Sequence, residues 1–296
     1  MRLLSYLILA VTLITELTSC KPVKKEKEEA KETMMKFEDK HTYAKPQEAV
    51  ITHLDWTANV DFETKIITAT AVYNIKTAES ASKIIFDTKD SLNIIAVRVD
   101  GKVAKYEIGA TDEFLGAPLT VELAKEAKQV EIDYKTNPTA AAVQWLSPQQ
   151  TANKTTPFLF TQSQAILARS WFPIQDGPGI RFTYEAEVTV PKGMIALMSA
   201  ENPTEKNETG IYSFSMKQPV PAYLMALTIG DVDYRKLGAH TGIYAESTLM
   251  GKAAYEFAEM EDMLVAAEKL YGKYQWEVYD MIILPPSFPF GGMENP

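Results

Sequence analysis

Between about residue 50 and residue 245 the apolar side chains keep a period of two and never settle into a helical period. That alternation restricts the fold more than any other feature of the chain. Leu54, Trp56, Ala58, Val60 and Phe62 alternate with other residues, and after Glu63-Thr64-Lys65 the pattern resumes at Ile67, Ala69, Ala71, Tyr73 and Ile75. Successive side chains of a strand point to opposite faces, so the pattern predicts a hairpin with one buried face. Val97-Arg98-Val99, Asp100-Gly101 and Lys102-Val103 predict a second hairpin, because an Asp-Gly pair suits a type I′ turn. Val121 and Leu123, then Val130, Ile132 and Tyr134, add strands; Phe182, Tyr184, Ala186, Val188 and Val190 alternate until Pro191 ends the run. Residues 41–245 are therefore expected to form a mainly β domain of many antiparallel strands.

The pattern then changes. Ala253, Phe257, Met260, Leu264, Ala267 and Tyr271 recur every three or four residues, with Glu259, Glu261 and Asp262 on other faces. This predicts one amphipathic helix of about twenty residues, stopped by Gly272. Tyr279 to Leu284 reads as a short strand, closed by Pro285-Pro286 and Pro289. A helix followed by a strand opens a second, mixed domain at residues 246–296. The element pattern breaks off at Pro296, as expected of a piece of a longer chain.

A length of 296 residues with 46% hydrophobic content leaves room for about two domains. The net charge of −9 excludes a nucleic-acid protein, which needs a clustered positive field. Cys20 is the sole cysteine, so neither an intrachain disulfide nor a cysteine-based zinc site is available.

Met1-Arg2 gives a positive start to an apolar run from Leu3 to Ile14, which is shorter than the roughly 20 residues that span a bilayer. Residues 1–20 thus read as a signal peptide. Its end, Leu17-Thr18-Ser19-Cys20, resembles the bacterial lipobox, with Glu16 as a departure. The resemblance implies cleavage before Cys20, acylation of its thiol, and an exported lipoprotein anchored to a bacterial membrane, facing the periplasm or cell surface. An ordinary cleaved signal is the alternative. Residues 21–40 mix charges without an apolar period and read as a solvated tether.

The ending Pro285-Pro286-Ser287-Phe288-Pro289-Phe290-Gly291-Gly292-Met293-Glu294-Asn295-Pro296 carries the chemistry. Paired glycines let a backbone approach a ligand closely, and their N–H and C=O groups can take up an extended peptide by strand addition. A carboxylate such as Glu294 is the natural partner of a free ammonium. Composition alone reads the same residues as a tight turn followed by an exposed Glu.

Gly291-Gly292-Met293-Glu294-Asn295 resembles the exopeptidase signature of the aminopeptidase N family of zinc metallopeptidases. The run from Tyr279 to Pro296 is especially similar to the leukotriene hydrolase/aminopeptidase branch. Thr161-Gln162-Ser163-Gln164-Ala165 resembles that branch's substrate-facing turn, and Gln175-Asp176, Thr183 to Val188 and Ala196 to Ala200 follow it too. The resemblance, over about residues 41–296, implies a saddle-like antiparallel β domain followed by the start of a thermolysin-like α/β catalytic domain. It implies that Glu294 binds the substrate α-amine with help from Gln164, that the backbone of Gly291 and Gly292 aligns the peptide, and that Met293 cushions the first side chain. Gln162 is a weaker substrate candidate, more a support for the turn. Arg169 and Asp176 are expected to form a structural ion pair at the domain interface.

The family holds zinc with His-Glu-x-x-His and a later Glu. Here His41, His53 and His240 are the only histidines and no two stand four apart, so this chain supplies no catalytic residue and no metal ligand. The expected function is a zinc-dependent aminopeptidase acting on peptides with a free N-terminus, of which this chain is an incomplete portion, inactive alone. A non-catalytic peptide-binding or scaffold lipoprotein is the alternative from another class. Epoxide hydrolysis fits less well, because Phe290 stands where the leukotriene branch often has Tyr.

Overall fold

The computed structural model describes residues 39–89 and 92–295. The expected signal peptide, the acylation site at Cys20 and nearly all of the tether lie outside the described residues. In chain order the strands are β1 (Ala49–Asp61), β2 (Ile66–Thr77), β3 (Lys83–Thr88), β4 (Asn93–Val99), β5 (Lys102–Val103), β6 (Tyr106–Ile108), β7 (Ala117–Glu122), β8 (Gln129–Lys135) and β9 (Val143–Leu146). They continue as β10 (Phe158–Thr161), β11 (Arg181–Thr189), β12 (Ile195–Met198), β13 (Ile211–Pro221) and β14 (Leu227–Gly230). The chain closes with β15 (Asp233–Lys236), β16 (Thr241–Ala245), helices α1 (Ser247–Glu256) and α2 (Met260–Tyr271), and β17 (Tyr279–Ile282).

Seven strands form one sheet in the order β13-β11-β1-β2-β8-β4-β5. β1 and β2 make the expected hairpin, with Leu54 opposite Tyr73 and Ala58 opposite Ala69. Asp61 closes its turn, accepting hydrogen bonds from the Glu63 amide at 2.8 Å and the Thr64 hydroxyl at 2.7 Å. The alternating residues Leu54, Trp56, Ala58, Ala69, Ala71 and Tyr73 are all buried. Asp100 and Gly101 have φ of 49° and 77°, the two left-handed positions that a type I′ turn demands between β4 and β5. One ladder of this sheet departs from the antiparallel expectation. β1 runs parallel to β11, Trp56 opposite Ala186, and residues 62–180 supply the long crossover that parallel neighbours require.

A four-stranded sheet, β12-β14-β10-β9, packs against the same core. All four residues of β10 are buried, which is why Phe158-Leu159-Phe160 reads as a continuous apolar run. The Trp56 and Trp171 rings meet edge to face at 5.4 Å, and both indoles find partners: Trp56 donates to the Tyr134 hydroxyl at 2.8 Å, Trp171 to Ser163 Oγ at 3.0 Å.

The last sheet is β15-β16-β17, in which β17 pairs parallel with β16. Tyr234, Tyr244, Ile282 and Leu284 join the core of the β domain, while Ile243, Ala245, Met281 and Ile283 meet Met250 and Ala253 of α1. With both faces covered, all of β16 is buried. Strand pairing therefore ties residues 233–245, which alternation assigns to the end of the β domain, to the strand beyond the helices.

The single helix expected over 253–271 is two helices. α1 ends at Glu256, α2 begins after Glu259, and short i→i−3 bonds, such as the Met260 amide to the Phe257 carbonyl at 3.1 Å, span the break. Two anchors pull the helices apart. Glu246, just before α1, is 3% exposed and accepts the Ala152 and Asn153 amides at 2.8 and 2.9 Å; Asn153 Oδ1 in turn accepts from the Thr248 hydroxyl at 2.8 Å. Glu261, in the first turn of α2, accepts the Thr241 hydroxyl at 2.8 Å and the His240 amide at 3.1 Å, which binds α2 to the β15–β16 turn. Gly272 stops α2 with φ of 94°.

Arg169 and Asp176 do form an ion pair, Nε to Oδ2 at 3.1 Å, but within the β domain and not at a domain interface. Arg169 is fully buried and also donates to the His41 and Leu115 carbonyls, each at 2.7 Å. Asp87, equally buried, lies 3.7 Å from Arg169 and accepts the Tyr43 and Asp176 amides at 2.7 and 2.8 Å. Every partner thus falls between residues 41 and 176. Burial pushes the Asp176 carboxyl up to about 6, with Arg169 pulling the other way. Removing the guanidinium would strand two buried carboxylates. Arg169→Met is therefore expected to destabilise the β domain by roughly 3–5 kcal/mol, read as a lower urea midpoint with an unchanged slope. A loss under about 1 kcal/mol would show that water or a proton replaces the arginine cheaply.

Candidate functional site

The first half of the candidate site is the turn that follows β10. β10 is paired on both sides, by β9 and β14, so its end is rigidly placed. The Gln162 amide donates to the Ala142 carbonyl at 2.9 Å. The Gln162 side chain then closes the turn: its Nε2 donates to the Gln164 carbonyl at 3.2 Å, and its Oε1 accepts the Gln164 amide. Ser163 is buried against Trp171, and the Gln164–Ala165 peptide is cis. Gln164 is exposed, and its own side-chain amide makes no hydrogen bond within the described residues. The two glutamines therefore divide the work. Gln162 braces the loop and Gln164 presents a free amide.

The second half follows β17. Its last bond, from the Ile283 amide to the Tyr244 carbonyl at 2.9 Å, extends the parallel ladder, and Leu284 packs on the core. Pro285-Pro286 then removes two donors and ends the pairing. A turn from Pro285 to Phe288, closed by the Phe288 amide at 3.0 Å, aims the Phe288 ring inward. That ring meets Phe160 of β10 edge to face at 5.6 Å, and Phe290 stacks on Phe288 at 5.6 Å. Phe160 stands two residues before Gln162 and Phe288 three before Gly291. This aromatic junction brings together two stretches that are distant in the chain.

Gly291, Gly292, Glu294 and Asn295 are exposed and Met293 is half-buried; residues 291–295 belong to no strand. Their backbone donors and acceptors are thus unpaired within the described residues. A Cβ on Gly291 or Gly292 would meet nothing within 4 Å, so no described residue forces glycine there. These exposed residues, the candidate rim, offer a carboxylate, a primary amide and a row of free backbone groups, chemistry suited to an extended ligand with a cationic end. An open groove of about 600 Å³, lined by residues including Glu185, Asn207 and Tyr212, lies apart from this rim.

No zinc site is assembled here. His41 sits beside Asp39, His53 is bonded to Thr183 at 2.7 Å, and His240 to Glu261 at 3.1 Å. Among the described residues no three His, Cys, Asp or Glu side chains are grouped to hold a metal, so the residues present do not fit that ion.

Residues 50–224 match the peptidase M1 N-terminal domain. This chain belongs to the M1 peptidase family. It is 43% identical over 269 residues to leukotriene A-4 hydrolase of Xenopus laevis, covering 87% of this chain and 44% of that protein. Leucine aminopeptidase 2 of Yarrowia lipolytica is 39% identical over 241 residues, covering 80% and 37%. The chain thus spans less than half the length of these curated relatives. Among solved structures, native leukotriene A4 hydrolase of Saccharomyces cerevisiae superposes with a TM-score of 0.81 at 29% identity, over 88% of this chain and 41% of that one. An M1 zinc metallopeptidase of Deinococcus radiodurans, 20% identical with a TM-score of 0.65 over 81% of this chain and 57% of its own, shares the fold. The mainly β saddle of the M1 N-terminal domain is therefore the architecture of this chain.

The structural role of Phe288 is open to direct measurement. Phe288→Ala removes one side of the aromatic junction, about 1.5–2.5 kcal/mol if half of a buried ring's contribution is lost. Exchange of the Ile283 and Phe288 amides, which bond to the Tyr244 and Pro285 carbonyls, is expected to quicken roughly 10- to 70-fold, with β10 unaffected and Phe288→Leu intermediate. Unchanged exchange in Phe288→Ala would mean that other contacts hold the segment.

Proposed function

We propose that this chain forms the substrate-amine grip of an M1 zinc aminopeptidase, which removes N-terminal residues from peptides. The observation that supports the reading is the Phe288–Phe160 junction, a contact between the residues just before the Gly-Gly-Met-Glu segment and the strand that leads into the Gln164 turn. Glu294 would bind the substrate ammonium by a charge-assisted hydrogen bond, with the Gln164 amide oxygen as a second acceptor. Gly291 and Gly292 would pair with the peptide backbone, and the half-buried Met293 would line the pocket for the first side chain. Zinc and its activated water belong to residues this chain does not contain, so its own share is to bind and orient. A free α-amine at Glu294 fixes which peptide bond is presented, and that is what distinguishes an exopeptidase. Phe290, lacking a hydroxyl, favours peptide over lipid-epoxide substrates.

The test uses the enzyme that includes the zinc-binding part, with free and N-acetylated forms of one peptide. A charge-assisted bond in a partly desolvated cleft contributes about 1.5–3 kcal/mol, so Glu294→Ala is expected to lower kcat/KM for the free peptide by roughly 10- to 150-fold. Glu294→Gln keeps the shape without the charge and is expected to be impaired as well. The acetylated peptide should be a poor substrate for the wild type and lose little more in the mutant. If both peptides slow equally, Glu294 is not the amine anchor.

Export and anchoring through an acylated Cys20 belong to the same proposal, on the strength of the Leu-Thr-Ser-Cys motif. Cys20→Ala should then shift the protein from the membrane to the soluble fraction, or leave its signal uncleaved. Membrane retention of a correctly processed mutant would reject the lipid anchor.

A further inference from the structure

Asp280 lies in β17 on the same face as Ile282, the face turned to the β-domain core. The register sets it opposite Gly242 of β16, and Gly242 opposite Lys236 of β15. Gly242 leaves room for the Tyr234 ring; a Cβ there would collide with it. Tyr234 and Tyr244 stack beside this gap with ring centroids 4.8 Å apart. One carboxyl oxygen of Asp280 is shut off from solvent and has no hydrogen-bond partner. The titratable groups that face it are two phenols, Tyr234 from β15 and Tyr244 from β16. The Tyr244 hydroxyl is engaged with the Pro203 carbonyl at 3.2 Å. Lys236 shares the cross-strand row but is solvent-exposed, and Asp280 has no ion pair among the described residues.

We propose that Asp280 is a positioning residue whose bound proton seats β17 against β16 and thereby holds the segment carrying Glu294. With the proton in place the carboxyl is neutral and needs no cation. Without it, an unpaired charge faces two aromatic rings, where its solvation is poor. β17 has four residues and one neighbouring strand, so this single charge weighs heavily on its pairing. Ile282, Leu284 and Phe288, the anchors of the signature segment, all follow within eight residues. Burial pushes the Asp280 carboxyl up to about 6, with only the Gly242 amide pulling down. Because the folded value lies above the usual one, the stabilisation is whole below about pH 4 and is lost as pH rises through about 6. Only the consequence for peptide binding rests on the amine-grip reading.

Hydrogen exchange on the full protein tests this, with protection factors that divide out the intrinsic pH dependence. Allowing for solvent screening at a part-exposed carboxyl, protection across residues 279–290 is expected to fall roughly three- to tenfold from pH 5 to pH 7 in the wild type. Asp176 of the β domain is likewise raised to about 6, so any pH dependence of protection in β1 and β10 should be the same in the wild type and in Asp280→Asn. Asp280→Asn, an uncharged isostere, is expected to keep the pH 5 protection at both pH values. A flat wild-type profile, or an equal fall in Asp280→Asn, overturns the proposal. If the variant does not fold, the wild-type profile still decides: a fall near pH 6 across residues 279–290 beyond that of β1 and β10 supports the proposal, and an equal fall overturns it. Neither peptide nor turnover enters this measurement, so its failure leaves the role of Glu294 untouched. Failure of the Glu294 test likewise leaves Asp280 standing.

Discussion

The parallel pairing of β17 with β16 is the constraint on which the whole candidate site depends. Four residues pair there, and beyond them no further ladder forms among the described residues. The pairing holds because the sheet is sealed on both sides, by Tyr234, Tyr244 and Ile282 against the β domain and by Ile243 and Met281 against α1. A parallel ladder needs a long crossover, and the two helices provide it. Their anchors, Glu246 on the loop after β9 and Glu261 on the β15–β16 turn, fix the crossover at both helix starts. The helical pair thus serves the site by delivering one short strand to one place.

What could be read from the sequence was local, and what could not was pairing between distant segments. The alternation of Leu54 to Ile75 and the Asp100-Gly101 turn are each decided by neighbouring residues, and both appear as expected. The parallel contact of β1 with β11 leaves no trace in either strand's own pattern, since a buried face looks the same in either orientation. The break between α1 and α2 is hidden for a related reason. Phe257 and Met260 keep the apolar spacing across it, while the cause is a bond from Glu261 to a turn some twenty residues earlier. The site divides in the same way. Glu294 and Gln164 stood out through motif resemblance, yet the contact between their two stretches is made by Phe160 and Phe288, whose motif neighbours gave no sign of it. Glu246 and Asp280 carried no local signal at all.

Three buried or half-buried carboxylates show how differently one charge can be accommodated. Asp87 is satisfied by backbone amides, a hydroxyl and the nearby Arg169, and works as a knot between the chain's early residues and its core. Glu246 has no cation; two amides of one loop take its two oxygens, so its charge is spread into backbone dipoles. Asp280 has neither arrangement on its shielded oxygen. The first two have both oxygens hydrogen-bonded. The third keeps one oxygen unpaired, and it sits in the strand that leads to the candidate rim.

Strand addition, the role proposed for that rim, needs backbone groups which are held in place yet unpaired, and these requirements conflict. A segment fixed in a sheet by its own hydrogen bonds has spent the donors and acceptors with which it would pair a peptide. A segment free of such bonds has nothing in its backbone to hold it. Residues 285–295 resolve the conflict by moving the anchorage to side chains. Pro285 and Pro286 end the ladder, and the Phe288 ring takes up the restraint through Phe160 and Phe290. Exposure lets water satisfy Gly291 and Gly292, so their unpaired state costs little. The absence of side chains at those two positions keeps the approach open. An apolar anchor just before a bare backbone is therefore the physical reason why Phe288 and the two glycines belong to one device.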